Sequence, residues 1–439
     1  MQTEIIIAAY FVFIILIGVY SAFKIKTPTD YYIAGKKAGL IPVSGSLLAT
    51  ILGGSAILGT IELSQNIGWA ALWFLFCAAL GLFALIPISK YVKRYGNYTL
   101  PELLGTFYGR KAEFISSLII PVAWLGIIAA QIIAAAKILS GLGFIDYTNA
   151  AILSGAVFII YTLLGGQLSI LKTDALQSIL IIAGLIALVF FSIKSPVSVN
   201  FERFEIGALF NSSFSPFDLI ILILTYSVTF VVGPDIYSRL FCAKNEKTAS
   251  RSILIVALIL IPVSFGLTYL GIISQQTQNA GIVSFAQNLL PGWAYGLFIA
   301  ALLSAVMSSA DTTLLTSSMI LNELFTVNLN SKNSLKITRL IVVFMGIISI
   351  VIALFVTSII QSLLFALTFF SGAFVIPALA GLLQIKVVRN RVVYAIIIGG
   401  LVALSGKLIH NFHDEILGNI IIVSSYLINM AILFIRPKK

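Results

Sequence analysis

Residues 49 to 59 read ATILGGSAILG, with paired glycines, Gly53 and Gly54, and a hydroxyl, Ser55, in the middle of an apolar run long enough to cross a bilayer. A crossing helix must satisfy its backbone groups internally, because lipid supplies none of the hydrogen bonds that water would. Glycines at mid-depth weaken that ladder, so the helix is predicted to open here. A second interruption stands at Phe230-Val-Val-Gly233-Pro234-Asp235, where proline lacks a backbone N–H and frees an earlier carbonyl. Glycine for close packing and proline for a simple kink explain either break alone. Their matched placement argues instead for two openings around one midplane site.

The surrounding chain has 439 residues, 59% apolar and 10% charged, with mean hydropathy +1.08. Soluble domains carry about a quarter charged residues, so a soluble protein is excluded. The longest polar stretches, near 90–113 and 195–216, leave no room for a separate catalytic domain or a nucleic-acid module. Cys77 and Cys242 lie far apart in apolar sequence and support neither a disulfide framework nor a metal cluster. Neither a nucleophile, base and orienter set nor a Walker-type loop stands out, so the chain reads as a transporter and not as an enzyme.

Each crossing needs roughly 20 residues. Apolar runs bounded by charge, glycine or proline predict thirteen spans, at 4–23, 41–62, 68–89, 114–141, 147–164, 172–194, 217–238, 250–274, 292–322, 337–356, 359–384, 392–409 and 415–435. The two breaks fall in spans two and seven. Five is odd, so these helices cross in opposite directions, as inverted repeats would make them. The expected architecture is all-α and a single transmembrane domain over 1–439, with an extra N-terminal helix (4–23), first repeat (41–194), second repeat (217–384) and two C-terminal helices (392–435). With the N-terminus outside, the outer loops hold only Lys194, Arg203 and Lys407, and Lys137 lies inside a span. All the other basic residues fall on the opposite side, which the positive-inside rule assigns to the cytoplasm together with the C-terminus.

Span nine reads ALLSAVMSSADTTLL over 301–315, unusually polar for its depth. Ala305, Ser308 and Ser309 stand at i, i+3 and i+4, hence on one face. The Ala305 carbonyl and two hydroxyls can then point at one spot, opposite carbonyls freed in the opened second span. Such a neutral oxygen cage suits sodium, whereas zinc or calcium would call for Cys, His or carboxylate ligands. The same residues also read as small side chains packing helices, with serines bonded to their own backbone.

Four stretches bring a family into view. Ser46 to Gly59, Tyr161 to Gln177 (YTLLGGQLSILKTDALQ), Gly233 to Asn245 (GPDIYSRLFCAKN) and Leu302 to Leu315 (LLSAVMSSADTTLL) follow in order within residues 4–385. Together they resemble the sodium/solute symporter family, whose core is a LeuT-type 5+5 inverted repeat. The resemblance implies a sodium site from the carbonyls of Ala49, Leu52 and Ala305 and the hydroxyls of Ser308 and Ser309. Some members have a second sodium site, which would fall on Asp174, Ser308, Asp311 and Thr312; Asp174 also reads as a cap of span six.

Substrate candidates around the openings are Gly53, Gly54, Ser55, Trp73, Tyr226, Thr229, Phe230 and Phe369, with Trp69, Phe370, Thr368 and Ser371 nearby. Glu62 reads as solvated vestibule, Lys137 as a snorkelling side chain near Asp146, Asp235 as a partner of Arg239 one turn on, and His410, His413, Asp414 and Glu415 as a solvated outer turn. The function expected is sodium-coupled import of a small organic solute, an amino acid such as proline or a short carboxylate. The rivals are a proton-coupled permease of the same fold, a sodium-dependent solute sensor and a passive channel. The expected partners are a small-molecule substrate and membrane lipid, with no nucleic acid and no obligate protein partner.

Overall fold

The computed structural model describes residues 27–143, 145–194, 205–276, 281–326 and 331–435, with a few positions elsewhere. The predicted first span, 4–23, falls largely outside the described residues. The described chain forms α1 (Pro28–Ile33), α2 (Leu40–Ile51), α3 (Gly54–Ile67), α4 (Leu72–Tyr95), α5 (Leu100–Tyr108), α6 (Arg110–Gly141) and α7 (Tyr147–Lys194). After a polar connection come α8 (Pro216–Leu222), a π-helical turn (Ile223–Ser227), α9 (Val228–Val232) and α10 (Pro234–Cys242). The chain then continues as α11 (Glu246–Gln276), α12 (Ile282–Leu289), α13 (Gly292–Asn322), α14 (Lys332–Phe355), α15 (Ile359–Leu382), α16 (Val392–Phe412) and α17 (Glu415–Phe434).

Ten helical stretches among the described residues are long and apolar enough to cross a membrane. Two of them, Gly54–Tyr95 and Tyr147–Lys194, run to 42 and 48 residues, about twice the roughly 20 of a single crossing. Both predicted breaks are present. The second span divides at Leu52 and Gly53 into α2 and α3, and the seventh divides at Gly233 between α9 and α10. The seventh also carries a π-helical turn that periodicity alone did not indicate.

One boundary differs from the sequence reading. Spans five and six were expected to be separated by a loop, yet the helical assignment runs through α7, with the ladder broken at Gly166 (φ 53, ψ −174). A side chain there would be strained and would also strike the Tyr31 ring, whose Cδ2 lies 2.4 Å from where a Cβ would stand. Tyr31 donates to the Thr162 carbonyl (3.3 Å), so α1 is docked on this corner.

At the centre lies α13, with nearly every side chain buried. Lipid tails are as apolar as leucine, so helices in a bilayer gain by close approach and polar satisfaction more than by hydrophobic burial. Close approach is visible at Gly184 of α7, where a Cβ would stand 2.5 Å from the Ala301 Cβ of α13, and at Gly54, where it would stand 2.2 Å from Val306. Four hydroxyls of α13 satisfy themselves on the preceding turn, Ser304 on Ala300 O (2.7 Å), Thr312 on Ser308 O (2.7 Å), Thr313 on Ser309 O (2.8 Å) and Ser317 on Leu314 O (3.2 Å), while those of Thr316 and Ser318 have no partner among the described residues. Ser308 and Ser309 depart from this pattern. On the outer shell, Ile179, Ile186 and Ile193 of α7 are spaced by seven and exposed, as a lipid-facing stripe should be.

Just past α13, Glu323 accepts from Thr99 Oγ1 (2.5 Å) and Ser117 Oγ (3.0 Å), tying the starts of α5 and α6 to the end of α13. Burial, with help from neighbouring Glu102 and Glu113, pushes its carboxyl up to about 8 from an ordinary 4.5, despite the two hydroxyl donors. The folded state therefore holds a proton that the unfolded chain has released, and stability falls as pH rises through that window. The melting temperature of the purified protein is expected to drop by several degrees between pH 5 and 8. Glu323→Gln should flatten that drop, and an identical drop in the variant would remove Glu323 as its source.

Candidate functional site

The broken end of α2 and the middle of α13 meet. The last carbonyls of a helix lack intrahelical partners, and Ser309 Oγ donates to one of them, Thr50 O, at 2.7 Å. Gly53 is required here by space, since a Cβ on it would stand 2.1 Å from Ser309 Oγ. Ala49, Leu52 and Ala305 are all fully buried around this contact. The adjacent Ser308 Oγ is fully buried and has no hydrogen-bond partner among the described residues. Such a group costs about 1–3 kcal/mol, a cost that coordination to a hard cation removes. The neutral oxygens of this corner fit sodium.

Next to it lies a charged cluster that the sequence reading had arranged otherwise. Arg239 of α10 does not pair with Asp235; it is fully buried and points to Asp174 of α7 (Nη2 to Oδ2, 3.4 Å). Its Nε donates to Ser46 Oγ (3.1 Å), Nη2 to Thr50 Oγ1 (3.1 Å) and to Thr312 Oγ1, and Nη1 to Ser238 Oγ (2.9 Å). Ser46 in turn donates to Asp174 Oδ2 (2.5 Å). The cluster thus holds Asp174, Asp311 and Thr312 together with Ser308, but with a guanidinium in their midst. Asp174 Oδ1 and Asp311 Oδ2 are buried without partners. Two carboxylates facing one guanidinium leave one negative charge over when both are ionised. Asp235, freed of Arg239, accepts from Trp124 Nε1 of α6 (2.8 Å).

A central cavity of about 80 Å³ opens beside Ser309, bordered by Ser55, Gln131, Tyr226, Thr229, Phe230 and Asp235 among others. Gln131 of α6 grips the start of α3: Nε2 donates to Ser55 Oγ (2.7 Å), and Oε1 accepts from Ser55 N (3.3 Å). This residue and Trp124 were missed; a lone amide in an otherwise apolar span was the available signal. Gly53 and Gly54 stand behind the cavity, filled against by Ser309 and by Val306 and Ala134. Trp73 and Phe369 are corrections. Trp73 turns outward, donating to Leu209 O (3.1 Å) and packing on Phe76 and Phe210, and Phe369 packs on Gly400 of α16.

Toward the outer end, Lys137 does not snorkel near Asp146; its Nζ pairs with Glu62 Oε1 at 2.6 Å, joining α6 to α3. Asp146 instead accepts from Asn149, its neighbour on α7. No group of His, Cys, Asp and Glu suited to holding a metal gathers among the described residues, His410 to Glu415 included.

A helical membrane bundle with two broken helices beside one hydroxyl-rich helix is the build of a secondary transporter. The sodium:solute symporter family matches residues 31–399, and the chain belongs to that family. It is 25% identical over 344 residues to the sodium/pantothenate symporter of Escherichia coli strain K12, covering 72% of this chain and 71% of that protein. It is 26% identical over 351 residues to the sodium/proline symporter of Haemophilus influenzae, covering 71% and 68%. Its fold matches the substrate-bound outward-open state of a Na+-coupled sialic acid symporter with a TM-score of 0.77 at 18% identity, over 100% of this chain and 99% of the other. A nucleobase-cation-symport-1 family transporter matches at 0.61 and 12% identity, over 92% and 93%. The protein is a multi-pass sodium-coupled solute symporter.

Removing the buried Arg239 leaves Asp174 unpaired, a loss of about 3–5 kcal/mol. Arg239→Gln is therefore expected to lower the melting temperature sharply, and Arg239→Gln with Asp174→Asn should regain part of it. Equal losses in the single and double variants would show that the pair is not coupled.

Proposed function

We propose that this symporter imports a small solute bearing a carboxylate, an amino acid such as proline or a short carboxylate, by alternating access. The relatives named for proline, pantothenate and sialic acid share that chemical group, which is the first support for the substrate class. The second is the cavity itself: small, apolar on most sides, with the N-terminus of α3 and the Ser55 hydroxyl beside it. The Ser55, Ala56 and Ile57 N–H groups already bond Gln131 Oε1 and Gly53 O, so it is the Ser55 hydroxyl proton that the carboxylate would take.

The architecture we infer is thirteen crossings, obtained by taking the two double-length helices as two crossings each and adding an N-terminal helix, with spans two to six and seven to eleven as inverted repeats. In this reading the N-terminus faces outside and the C-terminus the cytoplasm, by the distribution of positive charge. No protein partner is needed for transport.

The observation that carries the mechanism is the Ser309 to Thr50 hydrogen bond, which fastens the broken α2 to α13 at the edge of the cavity. We assign the first sodium to the carbonyls of Ala49, Leu52 and Ala305 and the hydroxyls of Ser308 and Ser309. Sodium held there replaces one direct bond by several ion contacts and holds α2, α3 and α13 in the arrangement that the solute also requires. Each ligand then raises the affinity for the other by the same factor. Asp174, Asp311 and Thr312, with their uncompensated charge, are the reserve for a second sodium. A proton at the same carboxylates is the competing reading, favoured by the two unpartnered oxygens.

Uptake into proteoliposomes of pooled labelled amino acids and short carboxylates should require an inward sodium gradient. In Ser309→Ala the sodium concentration for half-maximal uptake should rise about tenfold, equivalent to about 1.4 kcal/mol, with the folded yield unchanged. Unaltered sodium activation would remove Ser309 from the site. Uptake that follows pH at fixed sodium and survives without a sodium gradient would favour the proton.

A further inference from the structure

Among the described residues, the central cavity is bordered by a single charged side chain, Asp235 of α10, with no lysine, arginine or histidine in its lining. Arg239, one turn on, is committed elsewhere, to Ser46, Thr50, Ser238, Thr312 and Asp174. Trp124 Nε1 holds one oxygen of Asp235, Oδ1, at 2.8 Å, and the other makes no hydrogen bond or ion pair among the described residues.

A carboxylate in a small, largely apolar space is costly while half of its acceptor capacity stands idle. The bordering rings favour the same remedy, because Trp124, Tyr226 and Phe230 carry π-systems whose faces attract cations. Charge and aromatic lining thus ask for one occupant, a positively charged nitrogen. Size limits it further, since about 80 Å³ is far below the roughly 300–1,000 Å³ of drug-sized pockets.

We propose that Asp235 is the ammonium partner of the solute, and that the central cavity selects small amino acids, with a primary or secondary ammonium, over carboxylates of the same size that lack one. This assignment rests on the substrate site proposed above and narrows its solute class. A plain carboxylate enters beside Asp235 with a like charge, poorly screened at low dielectric. A zwitterion adds no net charge and gives the idle oxygen its donor. Asp235 stands in the first turn of α10 and Ser55 in the first turn of α3, so the two ends of one zwitterion engage both broken helices. A carboxylate alone engages only α3.

The test is the melting temperature of the purified full chain in phosphatidylcholine nanodiscs at saturating sodium, since a solute that binds only the folded state raises it. Each standard amino acid is titrated against its deaminated counterpart, such as cyclopentanecarboxylate for proline and propionate for alanine. At least one amino acid should reach its half-maximal shift at a concentration about tenfold or more below that of its counterpart, as a hydrogen bond to a charged group implies. Asp235→Asn keeps an acceptor for Trp124 Nε1 and removes the charge. It should raise that concentration about tenfold for the amino acid and leave the counterpart's unraised, closing the gap. A variant that weakens both alike gives Asp235 a structural role only and overturns the assignment. The unmutated protein decides independently of the variant's folding: equal concentrations for amino acid and counterpart, or no shift by any amino acid, overturn it too. Sodium-driven uptake into proteoliposomes separates this assignment from the transport reading. Uptake of plain carboxylates as readily as amino acids would keep the symporter and refute the role of Asp235, whereas selective binding of amino acids without sodium-driven uptake would keep that role and refute transport.

Discussion

A backbone carbonyl or amide left open in lipid has no water to turn to, and the arrangement at the centre of this molecule follows from that constraint. Breaking α2 from α3 at Leu52 and Gly53 frees polar groups at mid-depth, and each neighbour supplies a remedy. Ser309 caps Thr50 O from α13, and Gln131 caps Ser55 N and Oγ from α6. Both remedies are side chains on helices other than the broken one. The break is therefore stable only while α2, α3, α6 and α13 keep their positions, which makes the same contacts structural supports and movable joints.

The contrast within α13 shows how chemistry was placed on a packing helix. Ser304, Thr312 and Thr313 spend their protons on the preceding turn and cost the bilayer little. Ser308 and Ser309 do not, because their neighbours across the interface are the opened helix and the charged cluster. Arg239 adds a second constraint. A buried guanidinium is tolerated only where its donors find acceptors, and Ser46, Thr50, Thr312 and Asp174 come from α2, α7 and α13 to provide them. One side chain from the second broken helix is thereby hydrogen-bonded to the first broken helix and to the helix that carries the serines.

Much of this was legible in the residues. Length, glycine pairs and Gly-Pro placed the breaks, because backbone chemistry at those residues is local. The i, i+3, i+4 spacing of Ala305, Ser308 and Ser309 is equally local, and Ser309 meets the opened α2. Side-chain partners across helices were less legible: Arg239 was assigned to Asp235 and Lys137 was read as snorkelling, since sequence separation favours the near partner and helix packing selects the spatial one. Trp73 and Phe369 were drawn toward the cavity by residue type, whereas the rotation of α4 and α15 turns them outward. The sequence separates spans 147–164 and 172–194, whereas the helical ladder runs on both sides of Gly166 with a single break there.

The polar resources of the bundle gather around the central cavity. The serine corner lies at its edge, the Arg239 cluster shares Thr50 with that corner, and Phe74 stacks on Tyr226, which borders the cavity. Tyr226 lies in the π-helical turn of the second broken helix, where an extra residue per turn loosens the ladder. The adjoining α9 and α10 share the Gly233 break that leads on to Arg239. One broken helix thus carries both the aromatic partner of Phe74 and the guanidinium that bonds the other broken helix.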